Sequence, residues 1–202
     1  MARYIGPKQK LQRAFGEDLG LKTNAVKVAR RLAVAPGQHG HKGHKKMSDY
    51  GMQLKEKQKL RVTYGVMEKQ MRKYYDVATK TPASTGIALI KLLERRLDNV
   101  VYRLGFAPTR ASARQLVGHN HVTLNGKKAS IPSMLVKMGD VVALKDKTLK
   151  IPVVAKMLED KNKNVPIWLE KQAAIGKVAR FPERDEIDTV VNEQLIVEYY
   201  SR

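Results

Sequence analysis

The sequence predicts an α+β chain. It reads as a basic N-terminal arm, a helical domain, and a small domain of helix plus twisted antiparallel sheet, with a C-terminal tail that docks back on the chain or on a partner. Three observations carry this. Positive charge and glycine crowd residues 1–46, and apolar residues recur at helical spacing between Ser48 and Leu104. An Asn125-Gly126 pair then separates two short runs, Val122-Thr123-Leu124 and Lys127-Lys128-Ala129.

Residues 1–46 hold 11 Lys+Arg and 2 acids, and Gly6-Pro7, Gly16, Gly20, Pro36-Gly37, Gly40 and Gly43 punctuate them. With so few apolar residues, this arm is expected to gain order on its partner rather than alone. Lys22–Leu32 is predicted as one short helix carrying Lys27, Arg30 and Arg31. Arg3-Tyr4, Ile5, Leu11 and Phe15 interleave apolar side chains with the charges, unlike a featureless basic tail.

From Ser48 the pattern becomes helical. Ser48 caps a helix running to about Val62, and Gly65 breaks the chain. Val66 to Ala78 forms the next helix, with Met67, Met71, Tyr74 and Tyr75 at i, i+4, i+7 and i+8. Ser84 caps a third, predicted as one helix from Gly86 to Leu104. Ile87, Ile90, Leu93, Leu97, Val101 and Leu104 line one face of it, and Gly105 and Pro108 end it. These are core stripes.

Thr109 then caps a short helix, Arg110 to Val117, closed by Gly118. The Asn-Gly hairpin follows, and Gly139-Asp140 turns the chain into a strand from Val141 to Leu144. Ile151 to Ala155, a lysine-rich turn at 161–163 and Trp168-Leu169 read as additional strand and helix. Ile187 to Tyr200 is acidic and amphipathic, and Val190, Val191, Leu195, Ile196 and Tyr199 suit it to docking on the chain's own helices or on a neighbour. The domains expected are the arm at 1–46, the helical domain at 47–93 with 180–202 packing on it, and a domain at 94–179.

Charge narrows the function. The 202 residues carry 39 Lys+Arg and 19 Asp+Glu, a formal net charge of +20. The excess is uneven: residues 156–202 hold 8 Lys+Arg against 9 acids, so the cationic surface belongs to residues 1–155. Such a chain calls for a polyanion, with nucleic acid first and an anionic membrane surface second. A membrane-surface helix needs Trp or Phe gathered on one face, and the chain offers only Trp168, Phe15, Phe106 and Phe181. No apolar run approaches a membrane span of about 18 residues. Neither a secretory leader nor a small-molecule substrate motif is visible. With no cysteine, disulfides, thiolate zinc and a Cys nucleophile are excluded. No nucleophile–base arrangement, P-loop or paired carboxylate points to catalysis, so no enzyme, metal or cofactor is expected.

Within the predicted interface the most specific signal is Arg110 and Arg114. They lie i, i+4 on one helical face, where two cations need an anion. Ser112, Gln115 and the amides beside Thr109 add phosphate donors. Arg95, Arg96 and Arg103 lie just before, with Asp98 expected to pair with Arg95 or Arg103. Arg96-Leu97-Asp98 is superficially like the catalytic block of pseudouridine synthases, but Asp98 among cations reads as a salt-bridge residue. His39, His41 and His44 lack the spacing and fourth ligand of a metal site, so His39 with Lys42, Lys45 and Lys46 reads as phosphate or base contact. His119 and His121 flank the hairpin as stacking candidates.

Four blocks carry a family resemblance. They are Ala2-Arg3-Tyr4 with Gly6-Pro7-Lys8; Ala35-Pro36-Gly37-Gln38-His39-Gly40; Ser48-Asp49-Tyr50-Gly51 running into residues 53–59; and Arg96-Leu97-Asp98-Asn99-Val100-Val101-Tyr102-Arg103. With the terminal block 193–198, the chain resembles the bacterial small-subunit ribosomal protein S-four family along nearly its whole length. Residues 94–155 resemble the small RNA-binding module named after that family. Many members carry a zinc-binding cysteine cluster matching residues 9–31, and the absence of sulfur there withdraws zinc.

The resemblance implies a structural constituent of the cytoplasmic ribosome. It implies a primary binder of small-subunit ribosomal RNA that nucleates 5′-domain assembly and contributes to translational accuracy. Expected neighbours are other small-subunit proteins, the S-five protein among them, near where messenger RNA enters; some members regulate their own messenger. The RNA contacts expected on the arm are Arg3, Lys8, Lys10, Arg13, Lys27, Arg30 and Arg31. The helical domain would add Tyr50, Lys55, Lys59, Arg61 and Arg72, and the hairpin Lys127 and Lys128.

Overall fold

The computed structural model describes residues 3–42, 46–160, 164–188 and 191–202. Ala2, Gly43, His44, Lys45, the turn at 161–163 and Val190, all used in the sequence reading, lie outside the described residues. In chain order the helices are α1 (Lys8–Phe15), α2 (Ala25–Leu32), α3 (Asp49–Thr63), α4 (Glu68–Ala78), α5 (Thr85–Glu94), α6 (Leu97–Arg103), α7 (Arg110–Gly118), α8 (Asp146–Leu149), α9 (Pro152–Glu159) and α10 (Glu193–Ser201). The strands are β1 (Val122–Leu124), β2 (Lys127–Ala129), β3 (Val141–Leu144), β4 (Leu169–Gln172) and β5 (Ile175–Val178). Two compact units emerge, Met1–Leu89 with Thr189–Arg202, and Ile90–Asp188. Among the described residues no helix is long and apolar enough to cross a membrane.

In the first unit, α3 begins where the Ser48 hydroxyl accepts the Gly51 N–H at 3.3 Å. It ends at Tyr64, followed by Gly65 at φ +63. The acidic tail docks back on it. Asn192 caps α10, and its own N–H donates to Glu56 at 3.1 Å. Gln53 donates to Glu198 at 2.9 Å and Tyr200 to Glu68 at 2.9 Å, while Ile196 is buried to 1% exposure. The apolar side of the tail finds its partner within the chain.

The arm differs from its expectation of order gained only on a partner. It carries α1 and α2, with Gln12, Leu19 and Val28 buried. Arg13 ties it together by donating to the carbonyls of Val34 at 2.8 Å and Ala35 at 2.9 Å. Its second helix starts at Ala25, not Lys22, because the Asn24 side chain caps the Lys27 N–H at 2.9 Å.

The single helix expected from Gly86 to Leu104 is two, α5 and α6. Arg96 adopts ψ 137 and forms an isolated antiparallel bridge with Leu135. The Arg95 carbonyl accepts from Val136 at 2.9 Å, and the N–H groups of Leu97 and Asp98 donate to Met134 at 2.8 Å and Pro132 at 3.1 Å. Nonlocal pairing with residues 132–136 thus replaces one turn of helix. No glycine or proline marks the break.

The sheet is antiparallel throughout, in the order β2-β1-β3-β5-β4. Its hairpin pairs Leu124 with Lys127, and Asn125 and Gly126 both take positive φ. β4 and β5 extend it beyond the three strands legible in the sequence. Residues from α6 and α7 join Val122, Val142, Trp168 and Val178 in one core. The approach is close: a Cβ on Gly176 of β5 would run into the Leu104 side chain.

Candidate nucleic-acid interface

On the second unit α7 supplies the site. Thr109, at φ −143 and ψ 156, accepts the Ser112 N–H on its hydroxyl at 3.2 Å and caps the helix that begins at Arg110. Arg110 and Arg114 therefore share a face. The anion that Arg114 meets within the fold is Asp98, whose Oδ2 accepts from Nη1 at 3.0 Å. Arg110 donates from Nε to Asn99 Oδ1 at 2.8 Å, and its guanidinium carbon lies 4.6 Å from the Tyr102 ring centre. Both guanidiniums are half-buried and held in place.

The neighbouring cations are placed differently. Arg96 is 2% exposed and grips Asp98 with Nε at 3.1 Å and Nη2 at 2.7 Å. Asp98 pairs with Arg96 and Arg114, in place of the expected Arg95 or Arg103. Arg103 is buried on Glu94, and reaches Asp188 at 2.8 Å. Arg95 donates to the Val136 carbonyl at 3.2 Å and stacks 4.2 Å over Phe181, and burial lowers its pKa. These side chains build the fold around the α6 N-terminus.

Around α7, Gln115 and His119 are exposed and Ser112 is half-buried. His121 is half-buried, with Nδ1 3.0 Å from the Thr148 hydroxyl, and its ring lies 6.4 Å from that of His119. Lys127 and Lys128 are exposed on β2, an edge strand. The sequence reading left out Lys145, Lys147 and Lys150. The latter two are exposed and Lys145 is half-buried, and their clustering after β3 was the available signal.

The first unit presents its own cationic surface. Arg3, Lys10, Lys27, Arg30, Arg31, His39, Lys42 and Lys46 are exposed, as are Tyr50 and Arg72. Arg31 donates to Gln9 at 3.0 Å. Lys8 is half-buried, and burial, then the charges of Lys22 and Arg3, lower its pKa. Lys55 is half-buried. Arg61, also half-buried, donates to Gln58 at 2.7 Å, whereas Lys59 is buried against Glu17 at 2.7 Å. Lys69 and Lys73, exposed at i, i+4 on α4, were missed although that spacing was available in the sequence. Among the described residues no cluster of His, Asp or Glu could hold a metal ion.

Comparison with known proteins adds a second line. Residues 3–94 match the model described as the ribosomal protein S4/S9 N-terminal domain, and residues 95–142 match the S4 domain. The chain is 51% identical over 211 residues to the small ribosomal subunit protein uS4 of Herpetosiphon aurantiacus, covering 100% of both chains. It is 50% identical over 210 residues to that of Aquifex aeolicus and 52% identical over 206 residues to that of Akkermansia muciniphila, again covering 100% of each.

Proposed function

The chain belongs to the small ribosomal subunit protein uS4 family, and from that premise we propose that it is a structural constituent of the small subunit that binds ribosomal RNA directly. It acts in the ribosome, in the cytoplasm, as a scaffold protein and not as an enzyme. The observation that carries the RNA contact is α7, which presents two oriented guanidiniums, Arg110 and Arg114, on one face. Arginine forks match phosphate oxygens in pairs, and double-stranded RNA is read mainly by shape and backbone.

Within this reading the chain is a primary binder that nucleates folding of the RNA's 5′ domain. It stands beside the S-five protein near where messenger RNA enters, and contributes to translational accuracy. Binding of its own messenger would draw on the same cationic surfaces. The exposed cations proposed to grip phosphate are Lys127 and Lys128 on the second unit, with Lys10, Lys27, Arg30, Lys42 and Arg72 on the first.

The test is binding of the full chain to transcribed small-subunit ribosomal RNA across a potassium chloride series. The logarithm of affinity should fall linearly with that of salt, by about 0.7–0.9 per phosphate neutralised. Affinity that barely changes between low and moderate salt would contradict the reading.

A further inference from the structure

Asp98 and Asn99 stand side by side in the first turn of α6, 4% and 2% exposed, and each holds one arginine of α7. Asp98 Oδ2 accepts from Arg114 at 3.0 Å, and Asn99 Oδ1 accepts from Arg110 at 2.8 Å. Neither acceptor is loose. Asp98 also accepts from Arg96 Nε at 3.1 Å and Nη2 at 2.7 Å, and its N–H donates to the Pro132 carbonyl at 3.1 Å. Asn99 donates from Nδ2 to the Glu94 carbonyl at 3.0 Å and to Glu94 Oε2 at 2.6 Å. Those two bonds set which way the amide points, so its oxygen faces Arg110.

A flexible side chain loses rotamer freedom when it grips a ligand, and one already held by the fold has given up that freedom beforehand. A guanidinium carries five N–H donors, so an anchoring bond and a phosphate bond are compatible on one group. Resting on the RNA-binding reading above, we propose that Asp98 and Asn99 are positioning residues that pre-set the direction and spacing of Arg114 and Arg110 for neighbouring phosphates of one RNA strand. Charge counting gives the opposite sign. Neutralising Asp98 adds a positive charge, which by itself tightens binding to a polyanion.

The experiment uses the full-length chain, transcribed small-subunit ribosomal RNA and the same salt series. Asp98→Asn should weaken binding by about tenfold, the scale of one charge-assisted hydrogen bond. It should also lower the salt slope by about 0.7–0.9, and add nothing on an Arg114→Ala background. Asn99→Ala, which leaves net charge unchanged, should behave likewise toward Arg110→Ala. Asp98→Glu keeps the charge one methylene further out and should bind better than Asp98→Asn.

A folded Asp98→Asn that binds as tightly as the wild type or tighter overturns the proposal, as does a loss of equal size with or without Arg114. Should Asp98→Asn lose its far-ultraviolet circular dichroism, the decision passes to Asn99→Ala. A folded Asn99→Ala with wild-type affinity overturns it as well. A wild-type chain without salt-dependent affinity for that RNA would instead sink the RNA-binding reading itself.

Discussion

Arg103 closes on Glu94 with two N–H···O bonds, 3.0 Å from Nε and 2.8 Å from Nη2, and the carboxylate it holds is 0% exposed. Removing one partner strands the other charge in the core. Arg103→Ala or Glu94→Ala should therefore cost about 3–5 kcal/mol of stability. Asp188 bonds the same guanidinium at 2.8 Å, but its side chain is 84% exposed, so Asp188→Ala should cost less than about 1 kcal/mol. Urea denaturation compares the three, and equal midpoints for Arg103→Ala and Asp188→Ala would contradict this ordering.

The tail docks against a position that only glycine fits. A Cβ on Gly86 would lie 2.5 Å from Cβ of Glu193, at the start of α10. Gly86→Ala should loosen α10 at a cost of about 1–3 kcal/mol, the usual scale of overpacking. Hydrogen exchange at residues 193–201 is the readout. Amides in α10 that stay as protected as in the wild type would refute the prediction. Isolated RNA affinity should change little, because the tail carries more acids than cations.

Asn125 does more than turn the hairpin. Its Oδ1 accepts the Val141 N–H at 2.8 Å and its Nδ2 donates to Asp140 at 2.9 Å, while its φ is 50. Asn125→Ala loses both bonds and meets the positive φ, so a loss of about 1–3 kcal/mol is expected. Asn125→Gly keeps the backbone conformation and should lose less. Thermal melting separates them, and glycine proving the worse substitute would show that the backbone is not the issue.

Two classes of cation should behave differently toward RNA. Lys127→Ala with Lys128→Ala removes exposed charge on an edge strand, and should lower the salt slope by about 1.4–1.8 with melting unchanged. Arg96→Ala breaks a buried pair with Asp98 and should show first as lost stability. A slope unaffected by the double lysine change would remove the hairpin from the interface.

The helix caps at Ser48 and Thr109, the Asn-Gly hairpin and the strand from Val141 to Leu144 were legible because each depends on residues a few positions apart. So was the i, i+4 pair on α7. The break between α5 and α6 was not, since residues 95–98 are drawn into pairing with residues 132–136. Nor were the two strands after residue 168, which lack a strong turn signal. The charges divide in the same way. Lys59, Arg96 and Arg103 looked like ligand-facing cations until the fold brought Glu17, Asp98 and Glu94 to them.

The sequence by itself determined the cationic excess of residues 1–155, the absence of sulfur chemistry, the α+β order of elements and the family resemblance. These follow from composition and from interactions spanning a turn or two. Only the tertiary structure decided which cations hold the fold and which face outward. A guanidinium's role depends on whether a carboxylate reaches it through space, and Asp98 lies 16 residues from Arg114 while standing 3.0 Å away.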